Sequence, residues 1–332
     1  MSELGLVLSL PSMDDTVEAA RMAERAGFES VWTTEFPDHS ATVTLAAVSL
    51  ATERITVGTA IAYAFGRTPL VLAAEARDLD ILSAGRLILG LGTGTRRMQR
   101  DWHGLDGEHP AARMEELVPL LRRLLHLHEG PVEHEGVLYR TVVRPTAPVP
   151  APLRVDLPIY MAGVNKRMIE AAGAVADGLV GHPLFTPGYT RDVVRPALAR
   201  GAERAGRAQP VPIAGYLTCS VDADGAAARE AARAIVAFNS TVKTYRPILS
   251  HHGFDAAADD IRAAWQRGGF EAMAAAVPDE LLELVALAGT PEEVRAQYAE
   301  RRAGLFERTL LWPPAFRGLD GVRAAIEAFA SD

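Results

Sequence analysis

Four short stretches carry residues whose types and spacing could do chemistry. "TTEFPDHS" (33–40) places two carboxyl groups, Glu35 and Asp38, beside the imidazole of His39 and the ring of Phe36. Carboxylates and a histidine in one loop are candidates for holding or moving a proton near neutral pH. "GLGTGTRRMQRDWHG" (90–104) has three glycines within five residues, which suits a backbone that must come very close to something. A nicotinamide fingerprint needs Gly-x-Gly-x-x-Gly opening a helix, with an acidic residue about 20 positions on. Here Arg96, Met98, Gln99 and Trp102 follow the glycines and the third spacing is wrong, so a tight turn is the plain alternative. "AGVNKRM" (162–168) sets Gly163, Val164 and Asn165 ahead of a helical pattern with Lys166 and Arg167 in its first turn. A helix start offers free N–H groups and partial positive charge to a phosphate. Cations there oppose the helix dipole, which points to a bound anion or to solvent screening. Gly181-His182, heading "GHPLFTPG" (181–188), is placed to close the other side of that site.

These stretches must be positioned by the elements around them. Apolar runs at 4–10, 30–34, 55–61, 87–91, 157–162, 178–180, 211–221 and 309–312 read as eight strands. Most are followed by a helical pattern, as at 13–26, 42–51, 69–83, 110–128, 165–175, 187–204, 222–239, 291–302 and 320–329. Fully apolar strands separated by helices imply a parallel sheet covered on both faces. Eight βα steps fit a closed (β/α)8 TIM barrel, with an open doubly wound sheet as the alternative. The rhythm is interrupted after strands 4 and 7. Residues 130–156 read as a hairpin-like insertion followed by a proline-rich connector. Residues 241–288 read as mostly helical, with breaks at Gly253 and Gly268-Gly269. The pattern is that of one domain over 1–332. In such a barrel the chemistry sits where strands end, which is where all four stretches fall.

Composition removes several classes. The chain has 332 residues, 48% hydrophobic and 23% charged, with a net charge of −8. That acidic balance, with arginines interleaved among carboxylates, argues against nucleic acid as a partner. The longest uncharged runs are 14 residues, short of the ~18–20 that a membrane span needs. "MSELGLVLSL" lacks the basic region and cleavage site of a signal peptide. One cysteine, Cys219, permits neither an internal disulfide nor a thiolate cage, and a cytoplasmic home is expected. His126 and His128 stand two apart and His251-His252 are adjacent, so no metal site is expected.

The strand-end motifs resemble the luciferase-like flavin-dependent oxidoreductases, a (β/α)8 barrel superfamily. The resemblance rests on "AERAGFESVWTTE" (23–35), "ATERITVGTAI" (51–61), "RTPLVLAAEARDLDILSAGRLILGLGTG" (67–94), "LPIYMAGVNKRMIEAAGAVADGLV" (157–180) and "GTPEEVRAQY" (289–298). The branch using the deazaflavin coenzyme F420 is the nearer one. The resemblance implies a non-proline cis peptide ending the third strand, at Ala60-Ile61 beside Thr59, against the cofactor's central ring. It implies that Gly92, Thr93, Gly94 and Thr95 line the ring and ribityl chain, and that Gly163, Val164, Asn165, Gly181 and His182 hold the phosphate. Two departures stand out. Some deazaflavin relatives carry a carboxylate where Thr95 stands. The acid-plus-His pair common in relatives becomes Glu35-Phe36 here, with His39 further along.

The expected activity is hydride transfer by an enzyme using coenzyme F420, with Glu35, His39 and His182 as candidates for handling the proton. Phe36, Tyr63, Phe65, Trp102 and Phe185 would make an aromatic pocket for a small, largely apolar substrate, with core packing as their alternative role. The rival readings are an FMN-dependent monooxygenase supplied by a partner reductase, and a non-catalytic flavin-binding protein on the same barrel. Pairing of two copies through barrel helices is implied by the resemblance alone.

Overall fold

Strand order carries the architecture. In the computed structural model, which describes residues 3–330, twelve strands form. They are β1 (Glu3–Leu8), β2 (Ser30–Thr33), β3 (Thr56–Thr59), β4 (Ala62–Tyr63), β5 (Leu87–Gly92) and β6 (Val132–Glu135). The chain continues with β7 (Arg140–Val143), β8 (Ile159–Ala162), β9 (Gly178–Val180), β10 (Ile213–Val221), β11 (Ala286–Gly289) and β12 (Arg308–Trp312). The main sheet runs β11-β10-β12-β1-β2-β3-β5-β8-β9, and β9 also pairs with β10. The path from β10 through β12 and β1 to β9 therefore returns to its start, an eight-stranded (β/α)8 barrel made of the eight strands read from the sequence. β4 adds to β5, and β11 adds to the end of β10 from Thr218 to Val221. β6 and β7 form a separate antiparallel hairpin.

The chain gathers into two compact units. The first runs from the N-terminus to Trp32, with Val180–Pro196 and everything from Pro212 onward. Its β1 and β12 pair from Glu3↔Arg308 to Leu6↔Leu311, and β10 lies against β12's other edge. Packing here is close enough to demand glycine. A Cβ on Gly215 would stand 2.1 Å from the ring of Phe306, and one on Gly5 would stand 2.4 Å from Ser30 Oγ. Segment 241–288 is helical as expected, and Gly253 and Gly269 take positive φ at its breaks. The expectation fails at its end, where Ala286–Gly289 is β11. A four-residue apolar run has no period that separates strand from helix.

The second unit holds Thr33–Leu179 and Ala197–Val211. Ser40 and Thr68 cap the helices Ala41–Ala51 and Pro69–Leu82 through their side chains, with Pro69 in the first turn. The proline-rich connector is ordered. Arg154 donates to the buried carboxylate of Asp80 and to the Leu87 carbonyl, and Arg77 donates to the Pro150 carbonyl. A further helix, Arg96–His103, lies where the sequence pattern suggested only loop.

Gly215→Ala should cost about 2 kcal/mol, since Phe306 is buried and has no free direction to move. The urea midpoint reads this, and a midpoint equal to wild type would show that the ring can yield.

Candidate active site

The exit of β2 is held by bonds that skip along the chain. Thr33 Oγ1 donates to the Ala41 carbonyl, toward helix Ala41–Ala51, and the Thr33 carbonyl accepts from Ala60 N–H at 2.7 Å. Two residues on, Glu35 Oε2 accepts from Tyr63 N–H at 2.6 Å. Both Glu35 oxygens also take the guanidinium of Arg67, at 2.9 and 2.7 Å. Arg67 reaches Glu75 and Thr42 as well. Hydrogen bonds and charge from Glu35, then Glu75, keep Arg67 protonated above its ordinary range despite partial burial. With both its oxygens bonded to Tyr63 and Arg67, Glu35 ties β4 and residues 64–68 to the end of β2.

His39 is brought back to the strand end by a turn. Phe36 and His39 exchange backbone hydrogen bonds around Pro37-Asp38, residue types that favour such a turn. His39 Nε2 then lies 3.0 Å from Thr34 Oγ1 and Nδ1 lies 2.9 Å from Asp38 Oδ1.

The wall beside this exit is backbone. The peptide Ala60-Ile61 is cis, at the position the resemblance named. Thr59 is less available than the resemblance implied, because its hydroxyl donates to the Gly90 carbonyl at 2.7 Å and accepts Gly90 N–H at 2.9 Å. Gly92 has room for nothing larger, since a Cβ would meet Ile61 at 2.7 Å. Gly94 takes φ +64°. Thr95 caps helix Arg96–His103 by accepting Met98 N–H. Gln99, to which the sequence pattern assigned no role, is buried beneath this turn. Its Nε2 donates to the Thr93 carbonyl while Oε1 finds no partner among the described residues.

At the fifth strand end, helix Lys166–Val175 begins without a side-chain cap from Asn165. Arg167 is not the free cation expected, because Glu115 takes its guanidinium and also that of Arg204. The Glu115 carboxyl is lowered below its usual range by Arg167 chiefly, and Arg204 adds to this. Lys166 is exposed and makes no hydrogen bond or ion pair among the described residues. Uncapped N–H groups, a side-chain-free Gly163 and one spare lysine fit a phosphate.

In the first unit, His182 is buried and its pKa is pushed down to about 3 by desolvation. Nδ1 accepts Leu184 N–H at 3.2 Å, which leaves the proton on Nε2, and the ring lies 3.9 Å from that of Tyr245. It is a neutral donor, not a titrating acid at working pH. Gly181 precedes it, with Gly215 Cα 3.1 Å from where a Cβ would be. Cys219 is buried and its thiol is pushed up to about 12, which removes it as a nucleophile.

The proposed aromatic residues divide. Tyr63 packs edge-on to Trp102 at 6.3 Å and to His103 at 5.2 Å. Phe65 lies under the guanidinium of Arg113. Phe36 turns to His39, and Phe185 is wholly buried beside His182 and Tyr189. Trp312 donates to Ser9 Oγ and packs on Tyr216. No group of three or more His, Cys, Asp or Glu gathers into a metal-binding arrangement among the described residues. No helix among them is long and apolar enough to cross a membrane.

Comparison with known proteins gives a consistent picture. The family model described as luciferase-like monooxygenase matches residues 3–308. An uncharacterized protein of Mycobacterium tuberculosis is 34% identical over 324 residues, covering 94% of this chain and 93% of its own. The 5,10-methylenetetrahydromethanopterin reductase of Methanolobus tindarius is 31% identical over 287 residues, 85% of this chain and 84% of its own. The solved structure of the coenzyme F420-dependent tetrahydromethanopterin reductase from Methanopyrus kandleri superposes with a TM-score of 0.82 at 27% identity. It covers 99% of this chain and 97% of that one.

Two outcomes test the site's physics. Arg67→Met strands the Glu35 carboxylate and should cost about 3 kcal/mol in urea unfolding. For His182 the folded pKa, about 3, lies below the ordinary 6.5. The unfolded state therefore binds more protons between those values, and stability falls as pH drops below 6.5, by up to ~1.4 kcal/mol per pH unit. His182→Phe should flatten that acid limb. An unchanged slope of stability against pH would contradict the burial of a neutral imidazole.

Proposed function

Because the chain belongs to the luciferase-like monooxygenase family, we propose that it is an oxidoreductase that uses coenzyme F420 to transfer a hydride to or from a small, largely apolar organic substrate. The observation that carries this is the likeness over nearly the whole chain to an F420-dependent tetrahydromethanopterin reductase, supported by 31% identity with a 5,10-methylenetetrahydromethanopterin reductase. When bound, the deazaflavin supplies the hydride chemistry, and the protein supplies binding and orientation.

The chain's own residues fit such a group. Thr59, Ala60, Ile61 and Gly92 line the ring site in this reading, with the Ile61 side chain lying over Gly92. Thr93, Gly94 and Thr95 continue it as a turn held from below by Gln99. Gly163, Val164 and Asn165 lead into the uncapped helix start, where Lys166 adds a cation for a phosphate. The resemblance assigns Gly181 and His182 to the phosphate too, and a neutral Nε2–H donor suits that task. Tyr63, Phe65 and Trp102 are placed in this reading to keep water from the reacting atoms.

The reading extends to setting and assembly. The chain works in the cytoplasm, consistent with its single buried thiol. It pairs as a homodimer through the helices Ala41–Ala51 and Pro69–Leu82. The first carries no charge, and Val43, Leu50, Leu70, Val71 and Ile81 stand exposed on the pair.

Titration with F420 and FMN decides the cofactor. F420 should bind, and Lys166→Glu should weaken it about tenfold, ~1.4 kcal/mol. Tight FMN binding with negligible F420 binding would overturn the proposal in favour of a monooxygenase fed by a reductase. A cofactor bound but never changed in redox state by any small ketone, imine or alcohol would favour a binding protein. Leu50→Glu with Ile81→Glu should convert a dimer to a monomer in sedimentation, and no change in mass would place the contact elsewhere.

A further inference from the structure

One hydrogen-bonded chain at the β2 exit runs from a buried hydroxyl to an exposed carboxylate. Thr33 ends β2 with its hydroxyl on the Ala41 carbonyl, and Thr34 is the first residue past the strand. Thr34 is bracketed by the two bonds that pin this exit, Thr33 carbonyl to Ala60 N–H and Glu35 carboxylate to Tyr63 N–H. Its two chain neighbours are thus tied to residues on either side of Ile61. Its hydroxyl meets His39 Nε2 at 3.0 Å, and His39 Nδ1 meets Asp38 at 2.9 Å. Exposure rises along this chain. Thr34 is 4% exposed, while the side chains of His39 and Asp38 are 22% and 74% exposed. An ionised Asp38 only accepts, so in the neutral ring the proton sits on Nδ1, and Nε2 accepts from the Thr34 hydroxyl.

We propose that Thr34 Oγ1 is the atom through which a proton enters and leaves the site, with His39 and Asp38 joining it to solvent. The proposal rests on the hydride-transfer reading. In the reducing sense, a C=O acceptor takes the hydride at carbon and its π bond breaks toward oxygen. That oxygen takes the proton of Thr34 Oγ1, Thr34 takes one from the protonated His39 Nε2, and the imidazole is reloaded from water past Asp38. In the oxidising sense, the alcohol proton passes to Thr34 Oγ1, the Thr34 proton to His39 Nε2, and Asp38 holds the resulting imidazolium. Electrons move only with the hydride, which a reduced deazaflavin would supply in the first sense and an oxidised one would accept in the second. Thr34 is the catalytic residue here, while His39 and Asp38 act through it.

Two measurements test this on the full chain. Without any cofactor, nitrogen-15 NMR of histidine-labelled protein should show His39 as the Nδ1–H form with Nε2 shifted as an acceptor. Thr34→Val should remove that shift and Thr34→Ser should restore it. An Nε2–H ring, or identical spectra in wild type and Thr34→Val, overturns the chain. With reduced F420 and a panel of small ketones, Thr34→Val should lower kcat about 100-fold, with KM little changed and the solvent isotope effect altered. Thr34→Ser should recover most of the rate. Full kcat in Thr34→Val, or in His39→Gln where the valine variant does not fold, overturns the catalytic role. A wild type with the predicted NMR pattern that neither binds nor oxidises F420 instead removes the cofactor reading and leaves the hydrogen-bonded chain supported.

Discussion

The ion pair between Glu35 and Arg67 is the constraint on which the candidate site depends. It ties the end of one strand to a residue 32 positions on, and Glu35 spends its remaining lone pairs on the Tyr63 amide. Both partners are mostly buried, where a lone charge costs far more than a paired one. The pair therefore does not add much net stability so much as it forbids other arrangements. With it in place, β4 adds to β5 and Tyr63 sits against Trp102 and His103. Glu35, which the loop's composition nominated as an acid, turns out to be the residue that makes the neighbourhood rigid enough for other groups to act.

The site follows a division of labour common to parallel barrels. The strands are apolar and short, and the residues just past their ends carry the polar chemistry. At each such end the structure uses a different device to keep the backbone in place. A turn at Pro37-Asp38 returns His39 to its own strand, Thr95 caps a short helix, and Glu115 pairs with Arg167 in the first turn of helix Lys166–Val175. With Arg167 so paired, Lys166 is the basic side chain of that turn with no partner among the described residues.

Much of the fold is legible in the sequence because its signals are local. Eight apolar runs, their helical spacers, and caps such as Ser12, Thr68 and Thr290 need no distant partner to be read. What escaped is non-local or too short to have a period. Ala286–Gly289 is four residues, and its identity as a strand comes from pairing with residues 218–221. Helix Arg96–His103 has only Met98 and Trp102 as apolar residues, too few for a stripe that would announce it. The ion pairs of Glu35 and Arg167 are invisible to local pattern for one reason, since their partners lie 32 and 52 residues away. Gln99 gave no signal beyond being a polar residue after a glycine run. The position of the cis peptide at Ala60-Ile61, by contrast, came from motif resemblance and could not have come from periodicity.

The hydroxyl of Thr59 has a consequence of its own. By giving a proton to the Gly90 oxygen and taking one from the Gly90 nitrogen, it stands in for a whole peptide unit of the neighbouring strand. The tie between β3 and β5 at Gly90 therefore runs through a side chain. A single codon can alter it, which is not true of the backbone pairing that the two strands share at Val57 and Gly58.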